Sequence, residues 1–308
     1  MSMAPRPKLS IIIPVYNERE SVGVLHRELV EVLTPLREPF EILFVDDGST
    51  DGTGDALRKL KPARVLSFVR NFGKSQALQA GFDAAMGDYL ITLDGDLQDD
   101  PHEIPDFVAR LASADLVVGW KQRRADPFEK RFFSKIANAV TASLTGVRVH
   151  DMNCGLKGFR RGVAKALRLH GDMHRYIPAL AAGLGFLVAE LPVHHRPRRF
   201  GTTKYGAWRL LAGLFDFFTL VFLRRFIDRP MHFFGLLGAA LAGLGFLVLA
   251  YLTWLKLVES AVIGDRPLLL LGVLLIIVGF QSLSLGLVGE LVIRQGPDAK
   301  RSYVLKEE

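Results

Sequence analysis

Short apolar runs rich in β-branched residues, each closed by a polar turn and followed by a helical stretch, recur along the first two thirds of the chain. The first, Lys8-Leu-Ser-Ile-Ile-Ile-Pro14-Val-Tyr16-Asn17-Glu18, predicts a strand stopped by Pro14, a polar turn, and a helix from about Glu20 to Leu33. The second, Phe40-Glu-Ile-Leu-Phe-Val-Asp46-Asp47-Gly48-Ser49-Thr50, runs a strand into a turn of carboxylates and glycine. Arg64-Val-Leu-Ser-Phe-Val-Arg70-Asn71-Phe-Gly73-Lys74 repeats the layout with basic residues, and Tyr89-Leu-Ile-Thr-Leu-Asp94-Gly-Asp96-Leu-Gln98-Asp99-Asp100-Pro101 with acidic ones. A fifth strand is expected over Asp115-Leu-Val-Val-Gly119. Alternation of this kind builds an α/β domain around a mostly parallel sheet, whose ligands bind beyond the carboxyl ends of the strands. All four polar clusters therefore fall on one edge.

The last third changes character. Met231 to Leu257 and Pro267 to Ile293 are apolar runs, each long enough at about 1.5 Å per residue to cross a hydrocarbon core roughly 30 Å thick. Glu259, Asp265 and Arg266 lie in the short link between them, whereas Arg224, Arg225 and Arg229 precede the pair and Arg294, Lys300 and Arg301 follow it. That bias predicts a transmembrane hairpin with both ends in the cytoplasm, and the N-terminus, which lacks an apolar signal region, predicts a cytoplasmic soluble domain. Trp208 to Ile227 mixes Leu and Phe with Arg209, Asp216 and Arg224, the composition of helices lying at a membrane interface. Gly238 and Gly245, and Gly272, Gly279 and Gly286, recur at seven residues and give each helix a smooth stripe for packing within the hairpin or between protomers of a homo-oligomer. Glu290 reads as interfacial rather than as an ion site.

At the sheet edge the acidic turn is the most informative element. Asp94, Asp96 and Gln98 are hard oxygen donors at a strand end, which suit Mg²⁺ or Mn²⁺. Such ions complete their shells with water and substrate phosphates, so the pattern points to a nucleotide diphosphate; an acidic loop capping the helix after Pro101 is the plainer alternative. Neither a dinucleotide fingerprint nor a P-loop occurs at these turns. The net charge is +7, and a basic run, Trp120-Lys-Gln-Arg-Arg124-Ala-Asp-Pro-Phe-Glu-Lys130-Arg131-Phe-Phe-Ser-Lys135, follows the fifth strand. Charge of this kind can hold a phosphate, lie on anionic headgroups or bind nucleic acid, and the two apolar spans disfavour the last. Cys154 is the single cysteine, so no disulfide forms within the chain, and it reads as a small buried residue rather than a nucleophile. His194-His195 lacks the spaced partners of a zinc site.

In order along the chain, Ile13-Pro-Val-Tyr-Asn-Glu18, Val45-Asp-Asp-Gly-Ser-Thr-Asp-Gly-Thr53, Leu93-Asp-Gly-Asp-Leu-Gln98 and Asn153-Cys-Gly-Leu-Lys-Gly-Phe159 resemble the inverting family 2 glycosyltransferases. The branch they resemble loads a sugar onto a polyprenyl phosphate, as the dolichyl-phosphate mannose synthases and undecaprenyl-phosphate glycosyltransferases do. The resemblance spans roughly residues 9 to 206. It implies a GT-A type domain over 1–206, interfacial helices over 207–229, the hairpin over 230–294 and a cytoplasmic tail over 295–308.

Carried over residue by residue, the resemblance places Pro14, Tyr16 and Glu18, with Asp46 or Asp47, against the base and ribose of the nucleotide. Asp94 and Asp96 fall in the catalytic metal–diphosphate site, with Asp96 and Gln98 as ligands of Mg²⁺ or Mn²⁺. Arg70 and Lys74 either touch the diphosphate or are simply solvated. Arg124, Arg131 and Lys135, with Arg199 and Lys204 of a second basic element (Arg196-Pro-Arg-Arg-Phe-Gly-Thr-Thr-Lys-Tyr205), are expected to bind the lipid phosphate. Asp151 is expected to orient sugar hydroxyls or acceptor, since a phosphate acceptor is largely deprotonated at neutral pH and scarcely needs a base; a helix cap is the alternative. The implied activity is transfer of one sugar, most simply from a UDP-hexose, to undecaprenyl phosphate with inversion. A processive polysaccharide synthase would carry a Gln-x-x-Arg-Trp element, which is absent here, and a non-catalytic nucleotide-sugar-binding scaffold would not need the intact carboxylates.

Overall fold

The computed structural model describes residues 6–122, 149–197, 229–259, 262–264 and 266–295. The chain divides into two units, Met1–Asp216 and Phe217–Glu308. Arg124, Arg131, Lys135, Arg199 and Lys204, nearly all of the segment expected to form interfacial helices, and the tail after Gln295 lie outside the described residues.

Among the described residues the first unit is built on seven strands: β1 (Leu9–Val15), β2 (Phe40–Asp46), β3 (Arg64–Ser67), β4 (Tyr89–Thr92), β5 (Leu116–Lys121), β6 (Lys157–Arg160) and β7 (Val188–Val193). They form one sheet in the order β3-β2-β1-β4-β6-β5-β7. All neighbours run parallel except around β6, which is antiparallel to both β4 and β5. The first four β-to-α units appear as expected, with α1 (Val22–Leu33), α2 (Thr53–Arg58), α3 (Lys74–Ala84) and α4 (Ile104–Arg110) following β1 to β4. Two short helices, α5 (Arg161–Ala166) and α6 (Ile177–Gly183), complete the cover. Ile11, Ile12 and Ile13 of β1 and Leu43, Phe44 and Val45 of β2 are fully buried. Buried on both faces, these strands read as continuous apolar runs, and each such side chain contributes about 1.5–3 kcal/mol of burial.

Pro14 does not stop β1 as the sequence predicts: it pairs with Val45, and the strand runs on to Val15. Ile12 gives its carbonyl to Leu93 N on the β4 side, and Pro14, two residues on, faces that same side. β4 has already ended at Thr92, so the missing N–H of Pro14 leaves no ladder bond unmade.

The second unit is a helical hairpin of α7 (Pro230–Glu259) and α8 (Pro267–Gln295). Both are long and apolar enough to cross a membrane, with mean hydropathy of 2.3 and 2.5 over an 18-residue stretch of each.

Candidate active site

The turn after β1 is stitched to the turn after β2. Asn17, held at φ 56°, gives its N–H to Ser49 Oγ at 2.9 Å and receives Thr50 N on Oδ1 at 2.9 Å. Glu18 N donates to Thr53 Oγ1 at 2.9 Å. Asp46, the last residue of β2, accepts Ser49 N at 3.0 Å, and Asp47 accepts Phe72 N at 2.7 Å and Gly73 N at 2.9 Å from the turn after β3. Three turns thus share one edge, and a side chain on Gly48 would collide with the backbone of Arg70. Burial pushes the Asp47 carboxyl up although these two amides favour its charge. Tyr16 is exposed at this edge.

The acidic turn after β4 is held from several directions. Lys74, the first residue of α3, reaches Asp94 Oδ1 at 2.5 Å. Asp94 N donates to Asp99 Oδ2 at 3.2 Å, and the buried Asp99 pairs with Lys121 at 3.0 Å. Gln98 N donates to Asp96 Oδ1 at 3.1 Å, with Leu97 at φ 63° turning the chain between them. The segment after β7 runs alongside: Arg196 N donates to Gln98 O at 3.0 Å, and Gln98 Nε2 lies 3.4 Å from His195 Nε2. The Arg196 guanidinium bridges Glu28 of α1 at 2.7 Å and Asp100 at 2.6 Å. Burial works to raise the Asp94 carboxyl, but the ammonium of Lys74, with Lys121 and Lys157 beyond it, outweighs burial and holds it at about 2. Asp94 is therefore an anion at any working pH.

Opposite this turn lies the stretch entering β6. Asp151 is buried, accepts Asn153 N at 3.2 Å and so closes a short turn, not a helix. His150 stacks on Trp120 at 4.1 Å and pairs with Glu190 at 2.8 Å. Burial pushes the Cys154 thiol up to about 12, which keeps it inert. Lys157 is buried, donates to Cys154 O and has its ammonium destabilised by burial. With Lys74, Asp94, Asn153 and His174 it bounds a cavity of about 10 Å³, room for about one water.

His174 is the sensor in this group. Its Nδ1 lies 2.9 Å from Ser75 Oγ, its side chain is 12% exposed, and burial together with the charges of Lys74, Arg175 and Lys157, against the weaker pull of Asp94, depresses it to about 3. An unfolded His takes up a proton near pH 6.5, so the native state keeps its full share of stability above that pH. It loses up to about 1.4 kcal/mol per pH unit as pH falls from there toward about 3. The thermal midpoint of wild type should therefore drop more steeply between about pH 6 and about pH 4 than that of His174→Gln. Parallel curves would show that another group carries the acid sensitivity.

Among the described residues no three His, Cys, Asp or Glu side chains converge to hold an ion unaided. Asp96 and Gln98 supply oxygen donors on one turn, with Asp94 beside them, which fits a hard divalent ion that takes the rest of its shell from phosphate and water. Of the residues singled out in the sequence, Lys74, Asp94, Asp96 and Gln98 are brought together, and Asp46 and Asp47 join the turn of Tyr16 and Glu18. Arg70, whose backbone abuts Gly48 at the same edge, lays its guanidinium 4.4 Å from the Phe72 ring centre. Sequence reasoning gave no site role to Asp99, Lys121, Lys157, His174 or His195; Asp99, Lys121 and Lys157 lay inside stretches it singled out and His195 was weighed only for zinc, whereas His174 left no trace there.

The sequence profile of Glycosyl transferase family 2 matches residues 10–168. A dodecaprenyl-phosphate galacturonate synthase of Rhizobium johnstonii is 38% identical over 312 residues, taking in 97% of this chain and 92% of that protein. An undecaprenyl-phosphate 4-deoxy-4-formamido-L-arabinose transferase of Pseudomonas paraeruginosa is 35% identical over 307 residues, 97% of this chain and 89% of that one. The crystal structure of glucosyl-3-phosphoglycerate synthase from Mycobacterium tuberculosis with Mn²⁺, UDP and glucosyl-3-phosphoglycerate gives a TM-score of 0.56 at 21% identity over 71% of this chain and 80% of that one. That likeness shows the fold, a GT-A type sheet domain. With the profile spanning residues 10–168 and relatives aligned over nearly the full length, the chain belongs to glycosyl transferase family 2.

Proposed function

We propose that the protein is a membrane-bound glycosyltransferase that moves one sugar from a nucleotide diphosphate sugar, UDP in the simplest case, to a polyprenyl phosphate. The observation that carries this reading is the convergence of Asp94, Asp96, Gln98 and Lys74 at the strand-end edge of a chain that also holds two membrane-length helices. Its relatives' names, which specify dodecaprenyl and undecaprenyl phosphate, support that acceptor class.

In this reading Tyr16, Glu18 and Asp46 hold the base and ribose. Asp47 holds the turn after β3 against them through its two amide bonds. Asp96 and Gln98 would hold Mg²⁺ or Mn²⁺, which when bound neutralises charge on the departing diphosphate. Lys74 sits between Asp94 and the donor and offers its ammonium to the diphosphate. The acceptor phosphate, with a second pKa near 6, is an anion at pH 7. One of its oxygens bonds to the anomeric carbon as the bond from that carbon to the diphosphate oxygen breaks, with inversion and no base required. Asp151, buried across from the acidic turn, orients sugar or acceptor. Arg124, Arg131, Lys135, Arg199 and Lys204 hold the lipid phosphate, and the catalytic unit and both termini face the cytoplasm.

The test is transfer of radiolabel from a panel of UDP and GDP sugars to undecaprenyl phosphate by the purified full chain. A chloroform-soluble product formed with Mg²⁺ or Mn²⁺ and lost with EDTA is the expected result, and the donor that works names the sugar. Donor binding with no lipid product from any sugar would replace this reading with a non-catalytic nucleotide-sugar-binding protein.

A further inference from the structure

The loop that carries Asp94, Asp96 and Gln98 is closed on itself by one side chain. Asp99, the residue after Gln98, turns back so that its Oδ2 receives Asp94 N at 3.2 Å. Its Oδ1 receives the ammonium of Lys121, the last residue of β5, at 3.0 Å. The two side chains are only 1% and 11% exposed. Gly155 leaves room for this closure, since a Cβ there would stand 2.6 Å from Asp99 Oδ2. Asp100 faces elsewhere: its Oδ1 accepts His102 N at 2.9 Å and caps the turn that follows. The capping expected of this acidic stretch is thus done by Asp100, and Asp99 has a different task.

Folding alone does not call for such a pair. The attraction between a buried carboxylate and a buried ammonium does little more than offset their dehydration, and apolar side chains of similar shape often fill the same space as well. What apolar groups could not supply is an acceptor aimed at Asp94 N. Lys74 holds the Asp94 carboxylate at 2.5 Å, so with Asp99 on its amide Asp94 is fixed from both ends. Gln98 N on Asp96 Oδ1 fixes the other half of the loop. Lys121 keeps the Asp99 carboxylate from turning away and ties the loop to the sheet.

We infer that Asp99 is a positioning residue for the ion site: clamped by Lys121, it holds Asp94 N and so sets the spacing of Asp94, Asp96 and Gln98 before an ion or a diphosphate arrives. Buried and with both oxygens engaged, it is not itself a ligand. Groups that orient a metal's ligands from behind account for about ten- to a hundredfold in affinity. A carboxylate suits the task because two donors converge on it, one per oxygen. A carboxamide has a single acceptor oxygen, so Asp99→Asn would turn an N–H toward either the Asp94 amide or the Lys121 ammonium.

This role rests on the loop being the ion site, and Mn²⁺ binding separates the two. Purified full chain is titrated with Mn²⁺ in the presence of UDP, and in a parallel series GDP, with free Mn²⁺ followed by electron paramagnetic resonance and the melting temperature recorded alongside. Asp99→Leu/Lys121→Met keeps the branched shape at 99 but has no buried charge and no acceptor for Asp94 N. Asp99→Asn/Lys121→Met also lacks both charges, yet its oxygen is free to turn to that amide. Both should fold. Mn²⁺ affinity should fall about ten- to a hundredfold in the leucine variant and be largely kept in the asparagine variant. Asp99→Ala/Lys121→Met, which likewise lacks the acceptor, takes the place of the leucine variant should that one not fold. Equal affinity in the variants with and without the acceptor would overturn the role of Asp99 and leave the ion site standing. No Mn²⁺ binding by wild type with either nucleotide would remove the ion site and this role with it.

Discussion

Asp96→Asn is expected to slow sugar transfer by about a hundred- to a thousandfold while the protein folds as before. The carboxylate does two separable things. Its Oδ1 receives Gln98 N at 3.1 Å and so shapes the acidic turn, a bond that an Asn carbonyl oxygen can also accept. Its negative charge is what a bound divalent ion would meet, and the carboxamide removes that charge. Because Asp96 is nearly buried, with 9% exposure, the isosteric change leaves packing alone. The assay is transfer to undecaprenyl phosphate against Mn²⁺ concentration, with the melting temperature measured alongside. Wild-type rates in the variant at saturating Mn²⁺ would remove Asp96 from the ion.

Gly155→Ala should damage both stability and activity, for a reason visible only in three dimensions. A Cβ there would stand 2.6 Å from Asp94 Cγ and 2.6 Å from Asp99 Oδ2. The backbone cannot easily retreat, since Gly155 O receives Thr92 Oγ1 at 2.9 Å. Overpacking of this kind costs about 1–3 kcal/mol. Relief by moving Asp94 would break its contact with Lys74 and shift the turn that carries Asp96. A drop of several degrees in the melting temperature and a loss of transfer of about a hundredfold are expected together. Gly162→Ala, at a position in α5 with open space around it, is the control and should leave transfer unchanged and the melting temperature no lower. Normal transfer by Gly155→Ala would show that Asp94 need not sit where Lys74 holds it.

Much of this architecture could be read in advance because its strands are apolar runs with sharp polar ends. β1 to β5 and the acidic turn announced themselves in that way. β6 and β7 did not. Lys157-Gly-Phe-Arg160 is four residues long and carries a glycine and two charges, so its place between β4 and β5 comes from tertiary pairing rather than from pattern. β7 holds Pro192, which a central strand would reject, and it survives because among the described residues β7 is the edge of the sheet, paired only with β5. The edge of the site was legible to the same degree. Asp94, Asp96 and Gln98 share one turn and so appear together in sequence. Lys74, Gly155, Lys157, His174 and His195 meet that turn from other elements, and no local spacing brings them there. The two glycine stripes were visible, but whether they met each other or another copy depended on register; Gly238 against Gly279 answers it.

The reversed direction of β6 has a consequence for how such a protein can diversify. Parallel strands deliver their carboxyl ends to the edge, whereas an antiparallel one delivers its beginning, so β5 ends and β6 begins on the same side of the sheet. Whatever lies between those two points can lengthen, shorten or change its chemistry while every strand register stays as it is. On the proposed reading, selection can thus rework what the enzyme glycosylates independently of how it grips the nucleotide, which that reading assigns to the turns after β1, β2 and β4. Two relatives with different sugars and prenyl chains in their names, each aligned over 97% of this chain, are the outcome such a division of labour would produce.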